Sequence, residues 1–251
     1  MVSSIQDIAV KPEYEYLFKR PSWPLNFLKY LFEYYCRTVL SLYCPLTVYG
    51  RENIPEESFM FCSNHNSHMD VTILMSTSKE HFNQYSMIAA KDYWFDDKLK
   101  KFLTSIILTL IPIDRVRAGD GKLSITETVD LSRKFLAEGN RNLIYFPEGT
   151  RSLTGEMGRF KKGAAAFAIN LGLPVVPVHI KGTHEALPKG RIFMKPTRIT
   201  AMIGEPIYYD KSFDAAAYDG LDAKKAEDRA VAAMTQDIED TIRRLGEVEH
   251  G

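Results

Sequence analysis

Between Pro24 and Cys44 the chain runs in Leu, Phe and Tyr, and charge interrupts it only at Lys29, Glu33 and Arg37. A spacing of four residues places these charges on one narrow stripe of a helix, which Asn26 and Ser41 extend. The rest of the circumference is apolar and aromatic. Two placements suit such a helix: beneath a domain as a core element, or in a bilayer interface with Tyr30, Tyr34, Tyr35 and Tyr43 at headgroup depth. The interface is the expected one. Val48–Pro55, with Gly50, reads as a turn-rich entry, Ser58–Ser63 as a short buried strand and Asp70–Ser76 as a helix. Lys91–Lys101 is basic with aromatics and Phe102–Ile113 is strongly apolar. The two together suit either a second membrane-facing patch or a buried passage from helix to strand.

The second half of the chain alternates. Ser124–Glu138 has helical periodicity and stops at Gly139, Asn142–Phe146 is a strand, and Gly163–Leu171 is an Ala-rich helix ending at Gly172. Val175–Ile180 and Ile199–Ile203 read as buried strands, the latter leading to Gly204, and Asp222–Leu245 as a charged, solvated helix. Strands alternating with helices predict an α/β fold, a mostly parallel central sheet flanked by helices. The expected organisation is an N-terminal helical, membrane-interface segment over residues 1–47 and one catalytic domain over 48–251.

Composition narrows the function. A chain of 251 residues with 45% apolar and 25% charged residues is globular. Lys plus Arg and Asp plus Glu balance at 32 each, so no global field favours nucleic acid and any attraction to phosphate is local. Cys36, Cys44 and Cys62 follow no metal-ligand spacing and read as reduced thiols, consistent with the cytoplasm. Met1 to Arg20 holds acidic residues and no apolar h-region, so no secretory signal is expected. No run reaches the ~18 apolar residues of a confident transmembrane span.

Two polar clusters follow strands. Ser63-Asn64-His65-Asn66-Ser67-His68-Met69-Asp70 lies between a buried strand and a helix, at the sheet edge where open α/β folds place ligands. Asp70, in the first helical turn, can reach back to His65, fix its tautomer and stabilise the imidazolium formed when His65 accepts a hydroxyl proton. Asn64 and Ser67 support this turn, Ser67 by capping the following helix or by hydrogen bonding within the cluster. His68 need not face the same pocket, and His65, His68 and Asp70 lack the fourth ligand of a zinc site. Cys62 alternates onto the face opposite Phe61 and Ser63, which suits a packed thiol better than a nucleophile. The second cluster is Phe146-Pro147-Glu148-Gly149-Thr150-Arg151-Ser152. Gly149 permits close backbone approach, Arg151 offers a planar fork for phosphate, and Thr150 supplies a hydroxyl. Glu148 is expected to bind a substrate hydroxyl or to hold Arg151. Ile111-Pro112-Ile113-Asp114-Arg115 adds a further cation after an apolar strand.

In this order the motifs resemble the glycerolipid acyltransferase family that includes the 1-acylglycerol-3-phosphate acyltransferases. N-H-x-S-x-x-D corresponds to Asn64–Asp70 and F-P-E-G-T-R-S to Phe146–Ser152. The block ending in Arg corresponds to Pro112–Arg115, and the hydrophobic block with proline to Leu173–Val178; Phe160–Ala164 is also typical. The middle block of the family opens with Gly where this chain carries Thr109. The resemblance spans about Val48 to Ile207. It implies direct acyl transfer from acyl-CoA or acyl-carrier protein to a lysophospholipid, with lysophosphatidic acid as the default acceptor and another lysolipid or glycerol 3-phosphate as alternatives. His65 is then the general base and Asp70 its partner, while Glu148, Gly149, Thr150, Arg151, Lys161 and Arg115 bind substrate. No metal and no cofactor is implied. Backbone N–H groups near the Asn64–His65 turn or Gly149 are candidates for an oxyanion site. The implied location is the cytoplasmic face of a membrane, peripheral or monotopic. The competing classes are an acyl-thioester hydrolase that uses water at His65 and a non-catalytic lipid-binding module.

Overall fold

Short apolar runs alternate with amphipathic segments along this chain, and in the computed structural model the runs become the strands of one sheet. Residues 10–19, 22–91, 109–114, 123–209 and 222–248 are described. The strands are β1 (Leu46–Tyr49), β2 (Met60–Ser63), β3 (Tyr85–Ala90), β4 (Thr109–Ile113), β5 (Asn142–Tyr145), β6 (Val175–Lys181) and β7 (Ile199–Ile203). The helices are α1 (Trp23–Leu42), α2 (Met69–Thr77), α3 (Ile125–Leu136), α4 (Gly163–Leu171), a single turn α5 (Thr183–Ala186) and α6 (Ala223–Glu247). Among the described residues the sheet has seven strands in the order β1-β7-β6-β2-β5-β3-β4. Its pairings are parallel apart from β6–β7, which runs antiparallel with Val178 opposite Ile203. β2 sits at the centre, in register with Leu143–Tyr145 on one side and Val175–Val178 on the other.

Period-two alternation divides the core. Phe61, Ile144, Val176 and Val178 face a layer built from Ile73, Leu74 and Met75 of α2 with Cys36 and Leu40 of α1. Met60, Cys62, Leu143 and Val175 face the opposite layer, made by Phe135 of α3, Ala164, Ala165 and Phe167 of α4, and α6. The small residues of α4 let it approach the sheet closely: a Cβ on Gly163 would run into Tyr145 Oη. α3 starts as its sequence dictates, in a capping box where Ser124 accepts from the Glu127 N–H and Glu127 from the Ser124 N–H.

Several elements differ from expectation. The stretch read as a turn-rich entry begins inside an edge strand: Thr47 and Tyr49 of β1 are exposed, and only Leu46 and Val48 turn toward the core. β3 carries Ser86, Ala89 and Ala90 and so lacks the β-branched signature of a buried strand, yet pairing on both sides fixes it. Of Phe102–Ile113, read as either a membrane-facing patch or a buried passage from helix to strand, Thr109–Ile113 forms β4 with Leu110 and Ile111 buried; residues 92–108 lie outside the described set. α6 is not a solvated appendage. Ala230, Val231, Met234, Ile238 and Ile242 are buried against the sheet and α4.

The orientation of α1 is set by Glu33 and Arg37 of its polar stripe, which find their partners in the domain. Glu33 is 7% exposed. It accepts from the Phe82 N–H at 3.2 Å and from Arg37 Nε at 3.0 Å, and it lies 3.3 Å from His81 Nδ1. Arg37 donates to the Glu80 carbonyl, and Asn83 to Asn26 Oδ1. The aromatic side is left outward: Trp23, Phe27, Leu31, Tyr34, Tyr35 and Leu42 are all exposed. Among the described residues no helix is long and apolar enough to cross a membrane.

Candidate active site

β2 and β5 are adjacent and parallel, so the turns that follow them emerge together at one edge of the sheet. The first turn is held by Asp70. This carboxylate is fully buried, and its Oδ2 accepts from the N–H groups of Asn66 at 2.7 Å and Ser67 at 2.8 Å. The same oxygen lies 2.9 Å from His65 Nδ1. An oxygen that already accepts two backbone hydrogen bonds acts as an acceptor toward the ring as well, so Nδ1 carries the proton and Nε2 keeps its lone pair. The imidazole stacks on Phe146, with ring centroids 3.9 Å apart and planes at 15°.

Asn64 fastens the turn to β6. Its Nδ2 donates to the Ile180 carbonyl and its Oδ1 accepts from the Ile180 N–H, both at 2.8 Å, in imitation of a strand pair. Ser67 Oγ donates to the Leu187 carbonyl at 2.7 Å and accepts from the Met69 N–H at 3.2 Å. Its cap-like bond to α2 is thus the weaker half of a tie to the segment after β6.

Glu148 joins the two turns. Oε1 accepts from the His65 N–H at 2.8 Å and Oε2 from the Gly158 N–H at 3.0 Å, and the Ser152 N–H returns a bond to the His65 carbonyl at 2.7 Å. Burial raises the pKa of Glu148, and the two backbone donors oppose the rise. The expected substrate contact from Glu148 gives way to this brace, because both oxygens are taken by main chain. The oxyanion candidates change for the same reason. The N–H of His65 is committed to Glu148 and that of Gly149 to the Phe146 carbonyl.

A cavity of about 420 Å³ opens at this edge. His65, Gly149, Thr150, Arg151 and Lys161 line it. Gly149 has φ +71°, and a Cβ there would lie 2.8 Å from Lys161 Nζ, so a side chain would displace the lysine as well as strain the backbone. Asp70, Asn64, Ser67 and Glu148 sit behind the wall and fix it. Arg115 lies outside the described residues.

The cavity also holds residues to which the sequence assigned no part in it, among them His68, which was not expected to face this pocket. His68 lines it beside His65; loss of water around the ring, with Arg151 and His65 nearby, lowers its pKa to about 4. Tyr145, Phe146 and Ile113 supply apolar wall, and Lys189 adds a cation from the loop after β6. Lys189 was findable only from strand order, since β6 runs parallel to β2 and its loop must emerge at the same edge. Cys62 is fully buried on the α4 side, and burial pushes its thiol pKa up, as suits a packed thiol. Among the described residues no group of three or more His, Cys, Asp or Glu could hold a metal ion.

Fold and site together define an α/β protein that presents an Asp-backed imidazole to a cavity rimmed by cations. The chain belongs to the acyltransferase family, whose model matches residues 45–181, from just before β1 to the end of β6. It is 31% identical over 178 residues to a 1-acyl-sn-glycerol-3-phosphate acyltransferase of Chlamydomonas reinhardtii, covering 67% of this chain and 48% of the algal protein. It is 28% identical to a chloroplastic protein of the same description from Brassica napus, over 66% of this chain and 46% of the plant protein. For a Pseudomonas aeruginosa protein so described the identity is 32%, over 64% and 58%. The chain spans about half the length of the first of these curated relatives. Among solved structures, the 1-acyl-sn-glycerophosphate acyltransferase PlsC of Thermotoga maritima shares the fold. Its TM-score is 0.61 at 21% identity, over 94% of this chain and 88% of that one.

Proposed function

We propose that this protein is an O-acyltransferase that moves a fatty acyl chain from acyl-CoA or acyl-carrier protein to the free hydroxyl of a lysophospholipid. The acceptor is 1-acylglycerol-3-phosphate and the product phosphatidic acid. The observation that carries the reading is the His65–Asp70 pair, 2.9 Å apart, facing a cavity that Arg151 and Lys161 also line. The relatives described as 1-acyl-sn-glycerol-3-phosphate acyltransferases support the choice of acceptor.

In this mechanism Arg151 and Lys161 hold the lysolipid phosphate, with Gly149 and Thr150 shaping the approach, and the free hydroxyl comes to His65 Nε2. Nε2 takes the hydroxyl proton as the oxygen attacks the thioester carbonyl carbon. The tetrahedral intermediate collapses, the C–S bond breaks, and the imidazolium returns its proton to the departing thiolate. Asp70 holds the tautomer and balances the imidazolium charge. Asn64, Ser67 and Glu148 act as positioning residues. No acyl-enzyme forms. A positioned base supplies about 10²–10⁴-fold, so anchoring of the phosphate must contribute much of the remaining acceleration.

The site of action is the surface of a membrane, at its cytoplasmic face. α1 supports this: Asn26, Glu33 and Arg37 of its polar stripe bond to the protein, and its aromatic side remains for the interface, where each fully inserted large side chain is worth roughly 1.5–3 kcal/mol.

Acceptor choice tests the reading. With oleoyl-CoA as donor in mixed micelles, lysophosphatidic acid should exceed the matching monoacylglycerol in kcat/KM by about 10–10²-fold, the worth of a charge-assisted phosphate contact. Equal use of the two lipids would remove the phosphate from the account.

A further inference from the structure

The loop between α5 and β7 has the composition of neither a core segment nor an ordinary turn. From Leu187 to Arg198 it carries Lys189, Arg191, Lys195 and Arg198 and no acidic residue, in a chain whose net charge is zero. Between the cations stand Ile192 and Phe193, which are 86% and 88% exposed. Two adjacent large apolar side chains left almost wholly in water, framed by like charge, require a partner that is both greasy and anionic.

The loop is anchored at both ends. Near its start, the Leu187 carbonyl accepts from Ser67 Oγ of the catalytic turn, and Lys189 lines the cavity. Beyond the tip, the Met194 carbonyl accepts from Tyr43 Oη at the end of α1, and Cys44 Sγ lies 3.5 Å from the Lys195 carbonyl. The Lys195 N–H closes the loop onto the Ala186 carbonyl at 2.9 Å. The exposed side chains thus sit on a braced tip that links the outward face of α1 to the cavity wall.

We infer that the Lys189–Lys195 loop is a second membrane contact, which inserts Ile192 and Phe193 into an anionic bilayer and sets Arg191 and Lys195 among its headgroups. The inference rests on the membrane-surface reading above and adds to it a place and a consequence. The loop holds the cavity mouth against the bilayer, so a lysolipid reaches His65 by moving laterally, its phosphate meeting Lys189 on the way.

Vesicle flotation of the full chain separates the possibilities. Wild type should bind vesicles of phosphatidylcholine mixed with phosphatidylglycerol more tightly than vesicles of phosphatidylcholine alone. Ile192→Ser with Phe193→Ser should weaken binding to the mixed vesicles by about 10–10²-fold while leaving turnover of a short-chain, water-soluble lysolipid unchanged. Arg191→Glu with Lys195→Glu, a surface change that spares packing, should abolish the preference for the anionic vesicles. If Trp23→Ser with Phe27→Ser releases the protein while both loop variants bind as wild type does, the loop proposal is overturned and the membrane reading stands. If wild type binds neither vesicle, both fail.

Discussion

Replacing His65 by alanine is expected to lower turnover by about 10²–10⁴-fold, the usual contribution of a positioned general base, in a protein that still folds. The ring is half-buried and stacks on Phe146, so its loss costs stability only on the order of 0.5–1.5 kcal/mol, and thermal melting should move by a few degrees at most. Asp70 keeps its two backbone donors in the variant and continues to shape the turn. The neighbouring His68 is the poorer candidate base, since loss of water, with Arg151 and His65 beside it, lowers its pKa to about 4. His68→Gln should accordingly leave the pH profile of turnover in place. Steady-state thiol release by the two variants, alongside their melting curves, checks this. Wild-type turnover in His65→Ala would end the general-base account.

Arg151→Ala is expected to raise KM for lysophosphatidic acid and lower kcat/KM by about 10–10²-fold, the loss of a charge-assisted contact worth roughly 1.5–3 kcal/mol. KM for the acyl donor should change little. The guanidinium reaches the cavity from the turn that Glu148 braces, on the wall that also carries Lys161. Arg151→Lys keeps the charge but loses the planar fork and should fall between the two. The split between acceptor and donor parameters is the diagnostic. A variant that loses both equally has lost its turn and not a phosphate contact.

The sequence made the site legible because its two clusters are each local and each follows an apolar strand. Asp70 finds His65 across one turn, and only the parallel adjacency of β2 and β5 was needed to bring Arg151 to the same cavity. What sequence reading missed depends on chain segments far apart. Glu148 pairs with the His65 N–H across 83 residues, and Lys189 arrives from beyond β6. β1 and β3 escaped notice because one is a half-exposed edge and the other owes its stability to its neighbours more than to its own side chains. The helix at Trp23–Leu42 was recognised from its periodicity, but periodicity gives a stripe and not its direction. The charges of that stripe find partners at Glu80, His81 and Phe82, which turns the apolar side outward.

The central claim is acyl transfer to a lysolipid, and thiol release from oleoyl-CoA by the purified protein, with and without lysophosphatidic acid in mixed micelles, tests it most directly. The account predicts release that depends on the lysolipid and is matched mole for mole by phosphatidic acid. Release that proceeds as fast without the acceptor would contradict it and would make water the nucleophile at His65.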